Sequence, residues 1–391
     1  MTGAMYAAVS GLKTHMSAMN VIGNNISNVN TVGYKSTLYT FNEALYTSVK
    51  AGSDGTNQLG GRNPAQIGYG CSIGTIDLDM STKNYTPTGI ALHCMIDGDG
   101  FFIVGNNKEN SGITKQSQLQ GMNLSRLGNL GFDSQGYLVD GNGSLVYGFL
   151  RMTSLDEYCE ATGKDPSEVT EEELCSPILT PIRYPMCYVG GAEAEDGTQS
   201  TQKMKTTIFW PQVAEDGGDQ LIRDGLADDE REDDFEVPEG GVLTRLQPNT
   251  VSIDSTGCIT AMTKDEQLVV VGYIALATVD NPNGVTHVDG RYYKALGGAG
   301  NVHLTTIGGR LTHDPRANAA DGDTEIDLGS TDLTIESTGD TELVTGGLES
   351  SGTDLAQEIS NRIMIQRGYQ ANTRIVTVTD SMLEELVNMK R

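Results

Sequence analysis

The chain reads, from residue 23 to residue 35, Gly23-Asn24-Asn25-Ile26-Ser27-Asn28-Val29-Asn30-Thr31-Val32-Gly33-Tyr34-Lys35. This run favours a helix end followed by a turn, because Asn and Gly tolerate left-handed backbone conformations and short polar side chains bond local amides. An apolar pattern with helical spacing comes directly before it. The run therefore predicts where an N-terminal helix ends and where the chain turns away from it.

Apolar residues with helical spacing occupy both ends of the chain. Near the start, steps of four and three residues place them along one seam of a helix: Met5, Val9, Leu12, Met16, Met19, Gly23 and Ile26. Near the other end, a seven-residue repeat comprises Leu348, Leu355, Arg362, Tyr369, Val376 and Leu383, and the stripe is widened by Ile359, Ile363, Leu386 and Val387. Each end of the chain therefore predicts an amphipathic helix.

Pairing of the two termini is the simplest way to bury both stripes. The sequence between them is rich in turn residues, with 48 glycines in the chain, and favours short β-strands. The predicted fold class is α+β, mainly β, with paired N- and C-terminal helices forming a coiled-coil-like stalk that carries β-rich outer domains. A two-helix stalk is marginal in water and needs neighbouring copies for full burial. The alternative is that both helices pack on the globular body as ordinary core helices.

Length and charge exclude several classes of protein. At 391 residues the chain is long enough for more than one domain. The 52 acidic and 26 basic residues leave a formal net charge of −26, which argues against nucleic acid as a partner because phosphate binding needs clustered cations. No cleaved secretory signal is visible, and no stretch approaches the roughly 18 apolar residues of a membrane span. We therefore expect neither nucleic-acid binding nor membrane insertion.

Motifs for catalysis, metal binding or cofactor binding are weak. The Asp-Gly-Asp-Gly sequence at residues 97–100 lacks the ligand set of a calcium-binding EF-hand loop and fits a hairpin turn better. His93 and Cys94 are adjacent, so on a strand they point to opposite faces and do not converge on a metal. The sequence contains no P-loop, dinucleotide fingerprint or nucleophile elbow. The sequence predicts no enzyme activity, no cofactor and no metal.

The run from Gly23 to Lys35 resembles the N-terminal signature shared by flagellar rod and hook proteins. Its matching residues are Asn24, Asn25, Asn28, Thr31, Gly33, Tyr34 and Lys35. A run near the C-terminus is similar to the second signature of that family, with matching residues Gln366, Arg367, Tyr369, Gln370 and Asn372. Segments similar to strand and turn sequences of these proteins lie at residues 96–104, 131–139, 272–278 and 281–284.

The resemblance implies export through the flagellar secretion apparatus without a cleaved signal peptide, and a location in the hook or basal body outside the cell. It also implies a helical homopolymer around a central channel, with the paired terminal helices innermost. The expected partners are further copies, rod, hook-cap and hook–filament junction proteins, and the export apparatus. The assembly interface is expected to contain Met5, Val9, Leu12, Met16, Met19, Ile26, Leu355, Ile359, Tyr369, Val376 and Leu383.

Four regions are predicted along the chain. They are a helical polymerisation core (1–30 with 346–391), a linker and extended segment (31–85), a β-rich middle domain (86–150 with 249–345) and an inserted outer domain (151–248). The inserted region is unlike the segments shared by the family, and its extra length favours a hook protein over a distal rod protein. Its acidic run at residues 215–239 is typical of a solvated surface. Residues 49–61 have the composition of a compliant linker.

Two functions besides a structural polymer stay open on the sequence alone. The acidic, glycine-rich centre also fits a secreted β-rich adhesin or ligand-binding protein. Scattered carboxylates could serve an enzyme whose active site assembles from distant residues. Six widely spaced cysteines predict buried free thiols rather than a disulfide framework or a zinc site: Cys71, Cys94, Cys159, Cys175, Cys187 and Cys258. A torque-transmitting hook subunit is the predicted function.

Overall fold

The computed structural model describes residues 2–389, except for 54–59, 107–111, 134–135, 152–158, 160–164, 166, 168, 171–172, 184–186, 191–207, 214–218, 224–241, 246–249, 263–267, 289–290, 314–330, 338 and 340. The chain divides into two compact units. Met1–Met80 and Ser350–Arg391 form one, which we call the terminal unit, and Ser81–Glu349 forms the other, which we call the β unit. Both ends of the chain therefore belong to the same unit.

The described residues form three α-helices and a much larger number of short strands. The helices are α1 (Thr2–Ser27), α2 (Gln116–Gln120) and α3 (Leu355–Met389). The strands of the terminal unit are β1 (Thr37–Glu43), β2 (Tyr46–Lys50), β3 (Ala65–Gly68) and β4 (Cys71–Leu78). This content confirms a mixed fold with more strand than helix and with a helix at each end of the chain.

The strands of the β unit follow in chain order. They are β5 (Tyr85–Pro87), β6 (Cys94–Asp97), β7 (Phe101–Gly105), β8 (Asn123–Ser125), β9 (Leu130–Phe132), β10 (Leu138–Asp140), β11 (Leu145–Leu150), β12 (Thr180–Pro181), β13 (Cys187–Gly190), β14 (Ile208–Val213), β15 (Asp219–Arg223), β16 (Val242–Arg245), β17 (Ser252–Ile253), β18 (Cys258–Met262), β19 (Leu268–Ile274), β20 (Leu276–Val279), β21 (Thr286–His287), β22 (Tyr292–Lys294), β23 (Val302–Thr306), β24 (Ile335–Ser337), β25 (Glu342–Thr345) and β26 (Gly347–Glu349).

Two antiparallel ribbons accompany the helices of the terminal unit. β1 pairs with β4, and β2 pairs with β3. The Thr14 hydroxyl of α1 donates to the carbonyl oxygen of Cys71 at 3.1 Å, so the first ribbon lies against α1. Part of the segment expected to be a linker, up to Lys50, belongs to the paired strand β2. Side chains of β2 and β3 are exposed along the whole ribbon.

A fourteen-stranded sheet forms the centre of the β unit, with the principal strand order β17-β18-β19-β11-β7-β20-β23-β24. Its pairings are antiparallel except for β23 with β24. Strands from both sides of the insertion meet here, because β11 pairs with β19. The buried residues on this sheet, such as Phe102, Val146 and Leu276, form one continuous apolar cluster. Burial of this kind is the main favourable term in folding.

The turn at residues 97–100 joins two strands that do not pair with each other. β6 pairs with β25, whereas β7 pairs with β8, β11 and β20, so the expected hairpin is wrong although the turn exists. Gly98 and Gly100 have φ of 119° and 136°, a region that favours glycine. Arg126, 3% exposed, donates from Nη2 to the carbonyl oxygen of Gly98 at 2.7 Å. The turn is therefore fixed from inside the unit.

The C-terminal helix begins later in the chain than the seven-residue repeat predicted. Leu348, which the seven-residue repeat assigned to the C-terminal helix, lies in β26, and the helix begins at Leu355.

Within the inserted region, β13 to β16 form a four-stranded antiparallel sheet of order β15-β14-β13-β16. Apart from strand residues 219–223, the acidic run at residues 215–239 lies outside the described part of the chain.

Candidate assembly surface

The helices α1 and α3 pack against each other in an antiparallel direction. A β-carbon at Gly11 would lie 2.6 Å from Nδ2 of Asn372, and one at Gly368 would lie 2.7 Å from Cε1 of His15. Near the end of α1, the side chain of Asn25 reaches Glu358 in the first turns of α3. Residue numbers on α3 fall as those on α1 rise, by equal amounts. Glycine on each helix therefore lets the two backbones approach closely.

The pairing face is made mainly of small and polar residues. On α1 the buried residues are Ala8, Gly11, Thr14, Ala18, Ile22 and Asn25, and on α3 the buried and half-buried residues are Glu358, Asn361, Ile365, Gly368, Asn372, Val376 and Thr379. The large apolar contact is confined to Ile22 and Ile365 with Ala18, flanked by Met19, Ile26 and Tyr39. Close approach and hydrogen bonds therefore contribute more to this pairing than bulky side chains do.

The predicted stripe of α1 does not lie on this face. Val9, Leu12, Met19 and Ile26 each follow a buried residue by one position, which is about 100° around a helix. Met16 is 53% exposed, and Met5, Val9, Leu12, Met19 and Ile26 are half-buried. The expectation that pairing of the termini buries both stripes is therefore wrong for the single subunit.

The predicted stripe of α3 is exposed as well. Leu355, Ile359, Tyr369 and Leu383 are exposed, and only Val376 is half-buried. A strict seven-residue repeat drifts by about 20° per heptad on a straight α-helix, so the repeat runs gradually from one flank of α3 onto its pairing face. Of the 35 residues of α3, only Glu358, Ile365 and Thr379 are buried. Most apolar side chains of this helix face outward.

The side chain of Asn25 is 1% exposed and uses its full hydrogen-bonding capacity. Its Nδ2 donates to the carbonyl oxygen of Thr37 at 2.9 Å and to Oε1 of Glu358 at 2.9 Å. Its Oδ1 accepts from the backbone N–H of Thr37 at 3.0 Å and from the Tyr34 hydroxyl at 3.0 Å. An amide offers two donor hydrogens and two acceptor lone pairs. One side chain therefore joins the end of α1 to β1 and to α3.

The other residues of the N-terminal signature shape the corner around Asn25. Asn28 donates from Nδ2 to the carbonyl oxygen of Asn24 at 2.9 Å, and the Thr31 hydroxyl donates to Oδ1 of Asn28 at 3.1 Å. Gly33 has a φ of 67°, which residues with a β-carbon rarely adopt. Lys35 is completely buried. The signature thus specifies a turn that returns the chain from α1 to β1.

The segment before α3 caps both helices. The Ser351 hydroxyl donates to the carbonyl oxygen of Asn28 at 2.9 Å, and the Thr353 hydroxyl donates to that of Asn25 at 3.1 Å. Carbonyl groups in the last turn of a helix have no partner within the helix, so these contacts satisfy α1. Asp354 accepts from the N–H of Ala356 at 2.9 Å and acts as the N-cap of α3.

The C-terminal signature is mostly outside the pairing face. Asn372 is half-buried against Gly11, whereas Gln366, Arg367, Tyr369 and Gln370 are exposed. In the part of the chain that the structure describes, the side chains of Gln366, Arg367 and Gln370 have no hydrogen-bond or ion-pair partner. Folding of the subunit accounts for Asn372 and leaves the exposed members of this signature without an internal role.

His15 lies in the middle of the helix pair and is half-buried. Its ring packs edge-on against Phe41, with ring centroids 5.7 Å apart, and against the backbone at Gly368. Among the described residues its Nδ1 is buried without a hydrogen-bond partner. Burial lowers the pKa of His15 below its ordinary value of 6.5. The folded pair therefore favours the neutral imidazole.

The sequence also singled out His93 and Cys94 and the remaining cysteines. Cys94, beside His93, is 1% exposed, and burial raises the pKa of its thiol to about 12. Among the described cysteines, Cys71, Cys94, Cys159, Cys175 and Cys258 form no disulfide, and Cys94, Cys175 and Cys258 are buried. Over the described ranges, no group of three His, Cys, Asp or Glu side chains is placed to hold a metal ion, and no helix has the length and apolarity of a membrane span.

Substitution of Asn25 tests whether its hydrogen bonds hold the end of α1 against β1 and α3. We expect Asn25→Asp to lower the free energy of local unfolding of α1 by about 2–4 kcal/mol, because it removes two donors and sets a second carboxylate against Glu358. Native-state amide hydrogen exchange measures this change. Asn24→Asp, at an exposed neighbouring position, should cost little, and the penalty of Asn25→Asp should shrink when both carboxyl groups are protonated. Equal protection in both variants and the wild type would contradict the account.

The lowered pKa of His15 predicts a pH dependence of the helix pair. As the pH falls below about 6.5, the unfolded chain takes up a proton that the folded pair resists, so the pair loses stability toward acid. We expect amide protection in α1 and α3, corrected for intrinsic exchange, to decrease between pH 7 and pH 5. His15→Gln should flatten this dependence, while the control His93→Gln in the β unit should leave it unchanged. An unaltered profile in His15→Gln would refute the assignment.

Family models of known proteins match both ends of the chain. A family model described as "Flagella basal body rod protein" matches residues 5–35, which cover most of α1 and the corner after it. A second, described as "Flagellar basal body rod FlgEFG protein C-terminal", matches residues 344–389, which include all of α3. The matched segments are therefore those that form the helix pair.

Individual relatives extend the similarity over the whole chain. The chain is 26% identical to the flagellar basal-body rod protein FlgG of Bacillus subtilis over 391 residues, and 24% identical to the flagellar hook protein FlgE of Borreliella burgdorferi over 465 aligned residues; both alignments cover the full length of both chains. It is 34% identical to the flagellar hook protein FlgE of Helicobacter pylori over 153 residues, which are 39% of this chain and 20% of that protein. The chain is therefore similar to flagellar basal-body rod and hook proteins from end to end, and its two terminal segments match family models of these proteins.

Proposed function

We propose that this protein is a structural subunit of the bacterial flagellar hook, which polymerises into a tubular, bendable joint that transmits motor torque to the filament. One observation carries the proposal: after α1 and α3 have paired, the apolar stripe of α3 is still largely exposed and that of α1 is at most half-buried. On α3 alone, twelve large apolar side chains are exposed. Soluble monomers rarely expose apolar surface on this scale, so the helices need further protein to cover them.

The energetics favour the interpretation that the protein covering these stripes consists of further copies of the same chain. Burying one large apolar side chain contributes about 1.5–3 kcal/mol, whereas the subunit buries only a few such side chains between its two helices. A helix pair with so small an apolar contact is marginal in isolation. Assembly covers the stripes and stabilises the pair at the same time. The predicted interface residues, from Met5 to Leu383, are therefore proposed to contact neighbouring copies rather than each other.

In the proposed polymer, the paired helices form a coiled-coil-like stalk that lies innermost, and the β-rich regions lie outside. The inserted region 151–248 is proposed as an outer domain, because its acidic run is best accommodated in water, where repulsion between charges is screened. Residues 31–85 are proposed as the linker and extended segment that joins the stalk to the β-rich regions. Export without a cleaved signal peptide, and contacts with rod, hook-cap and hook–filament junction proteins, belong to the same proposal.

A distal rod subunit is the second candidate. The end-to-end match to the rod protein FlgG of Bacillus subtilis favours it, since that alignment covers all of both chains. Chain length alone therefore does not separate hook from rod. The hook is the better supported, because proteins named flagellar hook protein FlgE in several bacteria match the chain, among them one that aligns over its full length. The family is a structural one, which argues against the adhesin and the enzyme.

Immunoelectron microscopy of isolated hook–basal bodies tests this proposal. We expect an antibody raised against residues 151–248 to label the curved hook along its whole length and to leave the rod unlabelled. The same antibody on hook–basal bodies from a strain lacking this gene is the control. Label restricted to the rod would replace the hook with the second candidate. If no part of the flagellum is labelled, both the hook proposal and the rod proposal are contradicted.

A further inference from the structure

Outside the pairing face, α3 carries two apolar flanks. Flank A consists of Met364, Ala371, Ile375, Val378, Met382 and Met389, and flank B consists of Leu355, Ile359 and Ile363. All nine residues are exposed. At about 100° per residue, the flanks lie on either side of the pairing face, flank A roughly 95° and flank B roughly 135° from it. The helix therefore has three faces, and α1 covers only one of them.

Two different flanks on one helix suit an open polymer. A two-fold contact uses the same patch on both partners and closes a dimer, whereas contacts between unlike patches propagate. When parallel copies of α3 lie side by side, flank A of one copy can face flank B of the next. Steps of seven, four and three residues along flank A are the spacing at which helices interlock side chains.

Opposite charges at the edges of the flanks indicate the register of this contact. Glu385 lies between Met382 and Met389 at the edge of flank A, and Arg367 follows Ile363 by one turn at the edge of flank B. Both side chains are exposed, and neither has an ion-pair partner in the described part of the chain. By contrast, α1 carries a single Lys or Arg, Lys13, and no Asp or Glu. The complementary charges are thus both on α3.

We propose that α3 of one copy packs in parallel against α3 of the next with a stagger of eighteen residues, so that Glu385 of one copy pairs with Arg367 of its neighbour. Eighteen residues are five helical turns, or about 27 Å. The same stagger sets residues 375–382 of flank A beside residues 357–364, where flank B lies. The apolar overlap and the charge pair therefore select one register. This inference rests on the proposed function and specifies the partner surface.

The register also identifies matched control residues. Arg374 of one copy would face Ala356 of its neighbour, eighteen residues earlier, which carries no charge. Glu384 neighbours Glu385 but lies about 100° away around the helix, on the side away from flank A. Arg374→Glu and Glu384→Arg therefore repeat the charge changes of Arg367→Glu and Glu385→Arg at positions that the contact does not use.

Charge reversal in the full-length protein tests this register. The measured quantity is the critical concentration for tube formation, determined by sedimentation and electron microscopy. We expect Arg367→Glu and Glu385→Arg each to raise it by about tenfold at low salt, because attraction becomes repulsion. An equimolar mixture of the two variants, and the chain that carries both changes, should return to within about threefold of the wild type. The two control variants should assemble as the wild type does.

The other possible outcomes would contradict either the charge pair or the proposed function. Wild-type assembly by all four single variants would overturn the charge pair. Loss of assembly without rescue by the mixture and the combined chain would show that the two residues do not face each other, which also overturns it. Failure of the wild-type protein to form tubes under any condition would instead remove the proposed function. Amide exchange of α1 and α3 in each variant verifies that the subunit itself is folded.

Discussion

The close, largely polar contact between α1 and α3 is the constraint on which the terminal unit depends. Glycines at residues 11 and 368 let the helices approach, and the amide of Asn25 fixes their ends by joining α1, β1 and α3 through four hydrogen bonds. A buried amide with every donor and acceptor satisfied specifies one arrangement, since any other leaves polar atoms unpaired. Because small and polar residues occupy most of the contact, most large apolar side chains of α3 are exposed, and those of α1 other than Ile22 are exposed or half-buried.

This division of residues links folding of the subunit to its function. An apolar pairing face would give a more stable monomer with little reason to associate. A polar, closely packed face gives a helix pair of defined register whose outer surfaces are stabilised only when other copies cover them. The exposed signature residues of α3 fit the same division, because they have no hydrogen-bonding role within the described subunit. The β unit has its own apolar core and does not rely on the helices for it.

The sequence predicted the terminal helices, the mainly β centre and the family, because periodic patterns and two signatures are local properties. It did not predict which helix faces meet. Apolar residues dominated the pattern, whereas Gly11, Ala18 and Gly368 determine the contact, and small residues at steps of three, four and seven were the signal that could have revealed it. The hairpin expected at residues 97–100 failed for another reason: β6 pairs with β25, more than two hundred residues away, and no local signal encodes that partner.

Methionine oxidation offers the most direct test of the claim that the outer faces are free in the subunit and covered in the polymer. Met16, Met364 and Met382 are 53%, 67% and 50% exposed, and Met95 in the β unit, at 4%, is an internal control. Sulfoxide formation at each residue follows exposure and is measured by mass spectrometry. We predict rapid oxidation of the three exposed methionines in isolated subunits and strong protection in assembled tubes, with Met95 protected in both. Protection of all three in the subunit, or equal oxidation rates in subunit and tube, would contradict the account.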